Sequence, residues 1–188
     1  MAQDDFNWYE LVKSDTPLEQ GDLIDDFPIP DLDHTSIDIS KLTEGATVDA
    51  NAFIKRYDLI VMTQSCDLPE LNDDDRIIFC PRFPFQTVLQ QHSKWNGKDM
   101  WNKLRKGNVI NSHLLNKCEI QGYEFEYQMI NLDTVFTIPF NFVKKVLSAK
   151  KDRIRLLPPY REQLAQAFAR KFMRIGLPND IPEKYPYG

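Results

Sequence analysis

The sequence predicts an α+β domain built on a small, curled, mostly antiparallel sheet, with a helical insertion and a C-terminal helix. Three observations carry this. The run Leu59-Ile60-Val61-Met62 is continuously apolar and bounded by polar residues, as in a short strand buried on both faces. Residues 86–107 and 160–175 instead place apolar side chains at helical spacing. The remaining apolar stretches are short and separated by proline, glycine and aspartate, which favours strands joined by turns.

In chain order, residues 5–12 carry Phe6, Trp8 and Tyr9 and read as a short helix or turn. Residues 18–24 begin the folded body as a first strand, and Gly21-Asp22 marks a bend or bulge because glycine relaxes the backbone there. Pro28, Pro30 and Asp31 break regular structure and leave 31–50 as an acidic loop with one short strand near 35–39. A strand over 57–63, the acidic turn 71–75 and a second strand over 76–81 read as a hairpin with a long loop. Val88, Leu89, His92 and Trp95, then Met100, Trp101 and Leu104, place two short helices either side of Asn96-Gly97. Extended structure returns over 107–115, and residues 124–131 alternate around Phe125, Tyr127 and Met129 as a half-buried strand does. Residues 132–138 follow, then 140–147 as a short helix or turn after Pro139, then a strand over 153–157. Pro158-Pro159 suits the first turn of a last helix, whose stripe is Tyr160, Leu164, Phe168, Phe172 and Ile175. Gly176 and Pro178 end it.

A length of 188 residues suits one domain, taken as 18–177, with 1–17 as an N-terminal segment and 178–188 as an extended tail. No apolar run approaches the roughly 20 residues of a transmembrane helix, so no membrane partner is expected. The acidic start is unlike a signal peptide, and Cys66, Cys80 and Cys118 lack the spacing of a secreted disulfide scaffold. The expected setting is therefore a reducing cytoplasm. A net charge of −5 argues against a surface broadly coated with nucleic acid. Yet residues 1–50 hold only Lys13 and Lys41 as strong bases, while 144–174 are rich in lysine and arginine. Either the basic end is an open surface for nucleic acid, or the acidic half pairs with it within the fold or across a dimer.

Gly21-Asp22-Leu23-Ile24 followed by Phe27-Pro28, Lys55-Arg56 ahead of the apolar strand, a next strand ending in Pro81, and a late strand plus helix over 153–175 form a pattern. It resembles the MazF/PemK-type toxin family. The resemblance implies an SH3-like barrel, often dimeric. It also implies RNA cleavage by an arginine at the strand entry and a threonine after the later proline. Arg56 stands where that arginine would, with Tyr57 in place of the proline after it. Arg82-Phe83-Pro84 stands where the threonine would, and the insertion at 86–107 is foreign to the compact toxins. The segments TQSCDL and LLPPYREQLAQAFARKFMRIGLP resemble stretches of uncharacterised bacterial proteins.

The polar end of the central strand, Thr63 to Asp67, is the leading place for a site. A nucleophilic Cys66 needs a stabilised thiolate, and Asp67 disfavours one unless it orients a histidine, His113 being the candidate base. The bland alternative is a thiol in a strand-ending turn held by Gln64 and Asp67. Cys66, Cys80, Cys118 and His113 contain no Cys-x-x-Cys pair, so neither metal nor cofactor is called for. Asp73-Asp74-Asp75 lacks the glycine and glutamate of a calcium loop and reads as a solvated turn. Arg170, Lys171 and Arg174 share a face of the last helix and suit phosphates, or an internal acidic partner. Trp95, Trp101, Phe83 and Phe85 read as the core of the insertion, or as a stacking surface.

The expected function is a non-catalytic cytoplasmic binding module of bacterial type. It engages nucleic acid, or works as a homodimer or as a subunit of a larger assembly. Its pocket combines Gln64, Ser65, Cys66 and Asp67 with Arg56 and Arg82. The alternatives are an endoribonuclease of the toxin type relying on Arg56, and a Cys66-dependent hydrolase with His113 as base.

Overall fold

The apolar run in the middle of the chain decides the layering, because its alternate side chains are buried in two different cores. The computed structural model describes residues 7–173 except 42, 46 and 48. The elements in order are β1 (Tyr9–Val12), β2 (Asp22–Leu32), β3 (Ala52–Val61), β4 (Arg76–Pro84), α1 (Phe85–Gln91), α2 (Lys98–Arg105), β5 (Ser112–Leu115), β6 (Gln128–Asn131), β7 (Phe136–Pro139), α3 (Phe140–Leu147), β8 (Arg153–Leu156) and α4 (Tyr160–Phe172). Leu59 and Val61 of β3 join a core with Phe27, Ile77, Phe79 and Val143 of α3. Ile60 and Met62 point the other way, into a core with Leu115, Ile130, Leu156 and Leu164 of α4. The result is an α+β architecture, with α3 and α4 packed on opposite faces of one sheet.

Every strand pairing is antiparallel, in the order β1-β8-β2-β3-β4-β6-β5, with β7 also on β4. β6 and β7 share one lane along β4. Arg82–Pro84 pair with β6 and Arg76–Phe79 with β7, and residues 132–135 loop out between them. That interruption bends the sheet and lets β5 join β6 alone. Among the described residues no pairing joins β5 back to β1, so the sheet is open. The predicted insertion is present as α1 and α2, packing Trp95, Leu104, Val88 and Phe85 on Met129. The tryptophans there are core: Trp101 sits edge-on to Tyr127 at 5.1 Å and tilted to Phe85 at 5.7 Å.

Four sequence expectations ahead of β3 differ from the structure, and past it the strand read over 124–131 is confined to Gln128–Asn131 while Phe172 of the predicted stripe is exposed. Residues 9–12 form a strand rather than a helix or turn, because β8 offers them a complete antiparallel partner from Arg153 to Leu156. β2 runs on through Pro28 and Pro30, where it pairs only with β3. An edge strand tolerates proline because its missing N–H faces away from the ladder. Residues 35–39 hold no strand; tight helical turns form at His34–Ser36 and Ile39–Lys41. The bulge lies at Asp25-Asp26 rather than Gly21-Asp22: Ile24 faces Leu59 and Phe27 faces Tyr57, so two aspartates oppose Asp58 alone. The extra residue is what places Ile24, Phe27 and Ile29 in one core. Gly21 serves a different end, with φ +87 and space for a Cβ only 3.1 Å from the Leu156 side chain. Ile175, Gly176, Pro178 and the tail lie outside the described residues.

The acidic start and basic end of the chain meet in the interior. Asp22, with no solvent exposure, accepts from Arg153 Nε at 2.7 Å and from Arg155 Nε at 2.5 Å. Arg153 also donates to the carbonyls of Lys13, Thr16 and Pro17, and Arg155 to Pro17 O and Glu19. Burial alone would lower the Arg155 pKa, but Asp22 and Glu19 outweigh it and raise it above its usual value. Removing one member of a buried ion cluster strands the others, so Asp22→Ala is expected to cost about 3–5 kcal/mol in urea unfolding. Lys13→Ala, which removes only a surface pair with Asp152, is expected to leave the midpoint nearly unchanged.

Candidate functional site: a cleft floored by Arg82

The predicted pocket divides into separate places. Thr63 Oγ1 accepts the Ile78 N–H at 2.8 Å, and the Gln64 carbonyl accepts from the Asp67 and Leu68 amides. Ser65 Oγ accepts the Gln20 N–H at 3.1 Å. These contacts make residues 63–68 a strand-ending turn. Cys66 is exposed there, its thiol 3.4 Å from Asp67 Oδ1 and 3.7 Å from Gln64 Oε1. His113 is not brought to it. It lies buried on β5, its Nε2 has no hydrogen-bond partner, and burial together with nearby Arg170 pulls its pKa down to about 4.

Of the basic candidates, Lys171 is paired with Asp133, whose carboxyl is held below its usual range by Lys171 and Asn111. Arg170 donates to Gly107 O at 3.5 Å and lines a cavity of about 380 Å³ with residues 107–110. Arg174 lies outside the described residues. The Asp73–Asp75 turn caps α3: Asp73 and Asp75 carbonyls accept from Asn141 and Phe140, and Asp73 pairs with Lys144. Among the described residues no group of three or more His, Cys, Asp or Glu side chains could hold a metal ion.

Arg82 and Arg56 both converge on the Asp25-Asp26 bulge. Arg56, exposed, donates to Asp26 Oδ2 at 2.7 Å and to its carbonyl at 3.3 Å. Arg82 is buried, donates from Nε to Leu59 O at 3.4 Å and from Nη1 to Gln128, and pairs through Nη2 with Asp25. Its guanidinium stands 5.7 Å from the Phe125 ring centre, and burial pulls its pKa down to about 10. It forms the floor of a cleft of about 510 Å³ between β2, the 122–125 turn and the 147–154 segment.

Tyr123, Glu124 and Phe125 of the turn, Lys150 and Lys151, and Asp25 and Asp58 at the bulge all line this cleft, Glu124 accepting the Gly122 N–H at 2.9 Å. Its acidic and basic residues are not equally available. Asp58 accepts the Asp26 N–H at 2.8 Å, and Asp152 is engaged by Lys13 and the Ser14 N–H. Lys151 is exposed and makes no ion pair among the described residues. Lys150 donates to the Asp25 and Asp26 carbonyls at 2.8 and 3.0 Å, which leaves its charge only weakly neutralised by Asp26, 3.9 Å away.

Sequence reasoning named Arg82 and Arg56 but missed Lys150, Lys151, Tyr123, Phe125, Asp25 and Asp58 as their neighbours. One signal was present: the doublet Asp25-Asp26 breaks the apolar alternation between Ile24 and Phe27, as a bulge does. The remaining partners come from residues 122–125 and 150–151, whose approach to β2 only the folded chain sets. No family model, curated protein or solved structure matches the chain.

Two outcomes follow from these placements. A thiol reagent is expected to modify Cys66 rapidly in the native protein. Cys80, whose pKa burial pushes up to about 12, and buried Cys118 should react only on unfolding. His113 is lowered in the folded state from 6.5 to about 4, so the unfolded chain binds its proton first as pH falls. Its share of stability is present above about pH 6.5 and is lost on the way down to pH 4, a change of about 3 kcal/mol. His113→Gln should flatten the stability profile over that window in urea titrations.

Proposed function

We propose that the protein is a non-catalytic binding module whose Arg82 cleft engages single-stranded nucleic acid, on a curled sheet of the SH3-like kind. One observation carries the reading: a buried guanidinium in a cleft whose lining also includes two aromatic rings and two lysines. Phosphate oxygens suit the Arg82 edge and the Lys150 and Lys151 ammoniums, since charge-assisted contacts to phosphate are the strong ones. A base suits the faces of Tyr123 and Phe125, which stack on any nucleobase without demanding sequence. Self-association or a place in a larger assembly, and a cytoplasmic setting, belong to the same proposal.

The reading also accounts for a protein of net negative charge. Most of the basic residues at the C-terminal end are engaged by internal acids, so binding is confined to one cleft rather than spread over the surface. Three cationic contacts give a log–log salt slope near −2 for a single strand, or roughly 20-fold weaker binding between about 50 and about 200 mM salt. Fluorescence anisotropy of a labelled oligouridine is expected to show that fall. Lys151→Ala should reduce the slope by about 0.7 while leaving the fold intact. Binding that ignores salt, or that survives both Lys151→Ala and Arg82→Lys unchanged, contradicts the reading.

A further inference from the structure

The Arg82–Asp25 pair is unequal in a way that bears on how the cleft is used. The Arg82 side chain is 3% exposed and that of Asp25 is 73% exposed. A buried guanidinium without an anion is costly, so some carboxylate or phosphate must stand against it. Among the described residues Asp25 is the one carboxylate that does. Asp25, with its side chain mostly in solvent, meets Arg82 in the cleft that both residues line.

We propose that Asp25 is a built-in competitor for the cleft: its carboxylate holds the Nη2 edge of Arg82, and a ligand's anionic group must displace it to bind. This rests on the reading of the cleft as a binding site for an anionic ligand. The contacts around the bulge separate a fixed part from a movable one. Its backbone is held at three atoms: the Asp25 and Asp26 carbonyls by Lys150, the Asp26 carbonyl also by Arg56, and the Asp26 N–H by Asp58. Asp26 is kept at φ +51, a left-handed conformation for a residue other than glycine, and such backbone persists only where its surroundings impose it. The Asp25 side chain has Arg82 as its partner and is otherwise mostly in solvent, so a rotamer change frees it with no movement of the sheet.

Arg82 is also fixed in place for the exchange. Nε is engaged by Leu59 O and Nη1 by Gln128, and both partners belong to the sheet. When Asp25 swings out, the guanidinium stays where it is and presents the same edge to the ligand. The exchange is one anion for another, so the bound state again sets an anion against the buried cation. Lys150 links the two events, since it holds the bulge backbone and stands in the same cleft as the arriving charge.

The test compares wild type, Asp25→Asn and Asp25→Glu for binding of a labelled oligouridine by fluorescence anisotropy, with thermal unfolding as the check on folding. Asp25→Asn leaves buried Arg82 without a carboxylate and should lower the melting temperature with the fold retained, while Asp25→Glu should melt near wild type. Asp25→Asn removes the competing charge and is expected to tighten binding by about tenfold, as when Asp25 holds Arg82 for about nine-tenths of the time. Asp25→Glu keeps the charge and should stay near wild type. In the Asp25→Asn background, Arg82→Lys should abolish the gain. Salt-sensitive, Arg82-dependent binding that Asp25→Asn leaves unchanged or weakens overturns the competitor role while leaving the cleft a binding site. No binding by wild type or Asp25→Asn overturns both.

Discussion

A carboxylate cut off from water joins three distant parts of this chain. Asp22 opens β2, Arg153 and Arg155 lie on β8 more than 130 residues later, and the carbonyls those arginines also hold belong to the segment between β1 and β2. Two buried cations and one buried anion are stable only when every N–H and lone pair is engaged, because the cost of removing the charges from water is of the same order as their attraction. Here both arginines are used almost fully, against Asp22, Glu19 and three backbone carbonyls, of which Pro17 accepts from both. The cluster sets β8 between β1 and β2. It also fixes the start of β2, three residues ahead of the bulge from which Asp25 reaches Arg82.

That bulge is the step from architecture to function. One extra residue brings Ile24, Phe27 and Ile29 onto the same core, so the packing of α3 against the sheet requires it. The same extra residue leaves Asp25 and Asp26 facing solvent beside a buried arginine. A packing requirement thus produces an exposed carboxylate at the rim of the cleft. The apolar interior cannot absorb either charge. Arg82, Arg56, Lys150 and Asp58 are arranged around the bulge accordingly, the three cations facing its side chains and all but Arg82 holding its backbone.

How much of this could be read from the residues depended on the range of the interaction. The central strand and α4 were plain, because a continuous Leu-Ile-Val-Met run and an apolar stripe from Tyr160 to Phe168 are local patterns. The insertion was legible for the same reason: Val88, Trp95 and Leu104 repeat at helical spacing and are buried together. β1 was misread because Tyr-Glu-Leu-Val has no period of its own and becomes a strand only against β8. The path of β2 through Pro28 and Pro30 was misread because proline breaks a central strand but not an edge. The site was half legible. Arg56 and Arg82 were singled out, yet their use is set by Asp25, Asp58, Lys150 and Phe125, which long-range folding brings to them. Gln64 to Asp67 drew attention as a polar cluster, but hydrogen bonds within the turn and to Gln20 account for most of what they do.

The central claim is that ligand contacts gather at the Arg82 cleft and not at the other polar or basic surfaces. The most direct measurement is NMR titration of the isotopically labelled protein with a short oligouridine. The account predicts the largest shifts at the Arg82 Nε–H and at the amides of Tyr123 to Phe125, Asp25, Lys150 and Lys151. Shifts confined to Gln64–Asp67, or to Arg170 and Lys171 on α4, would contradict it.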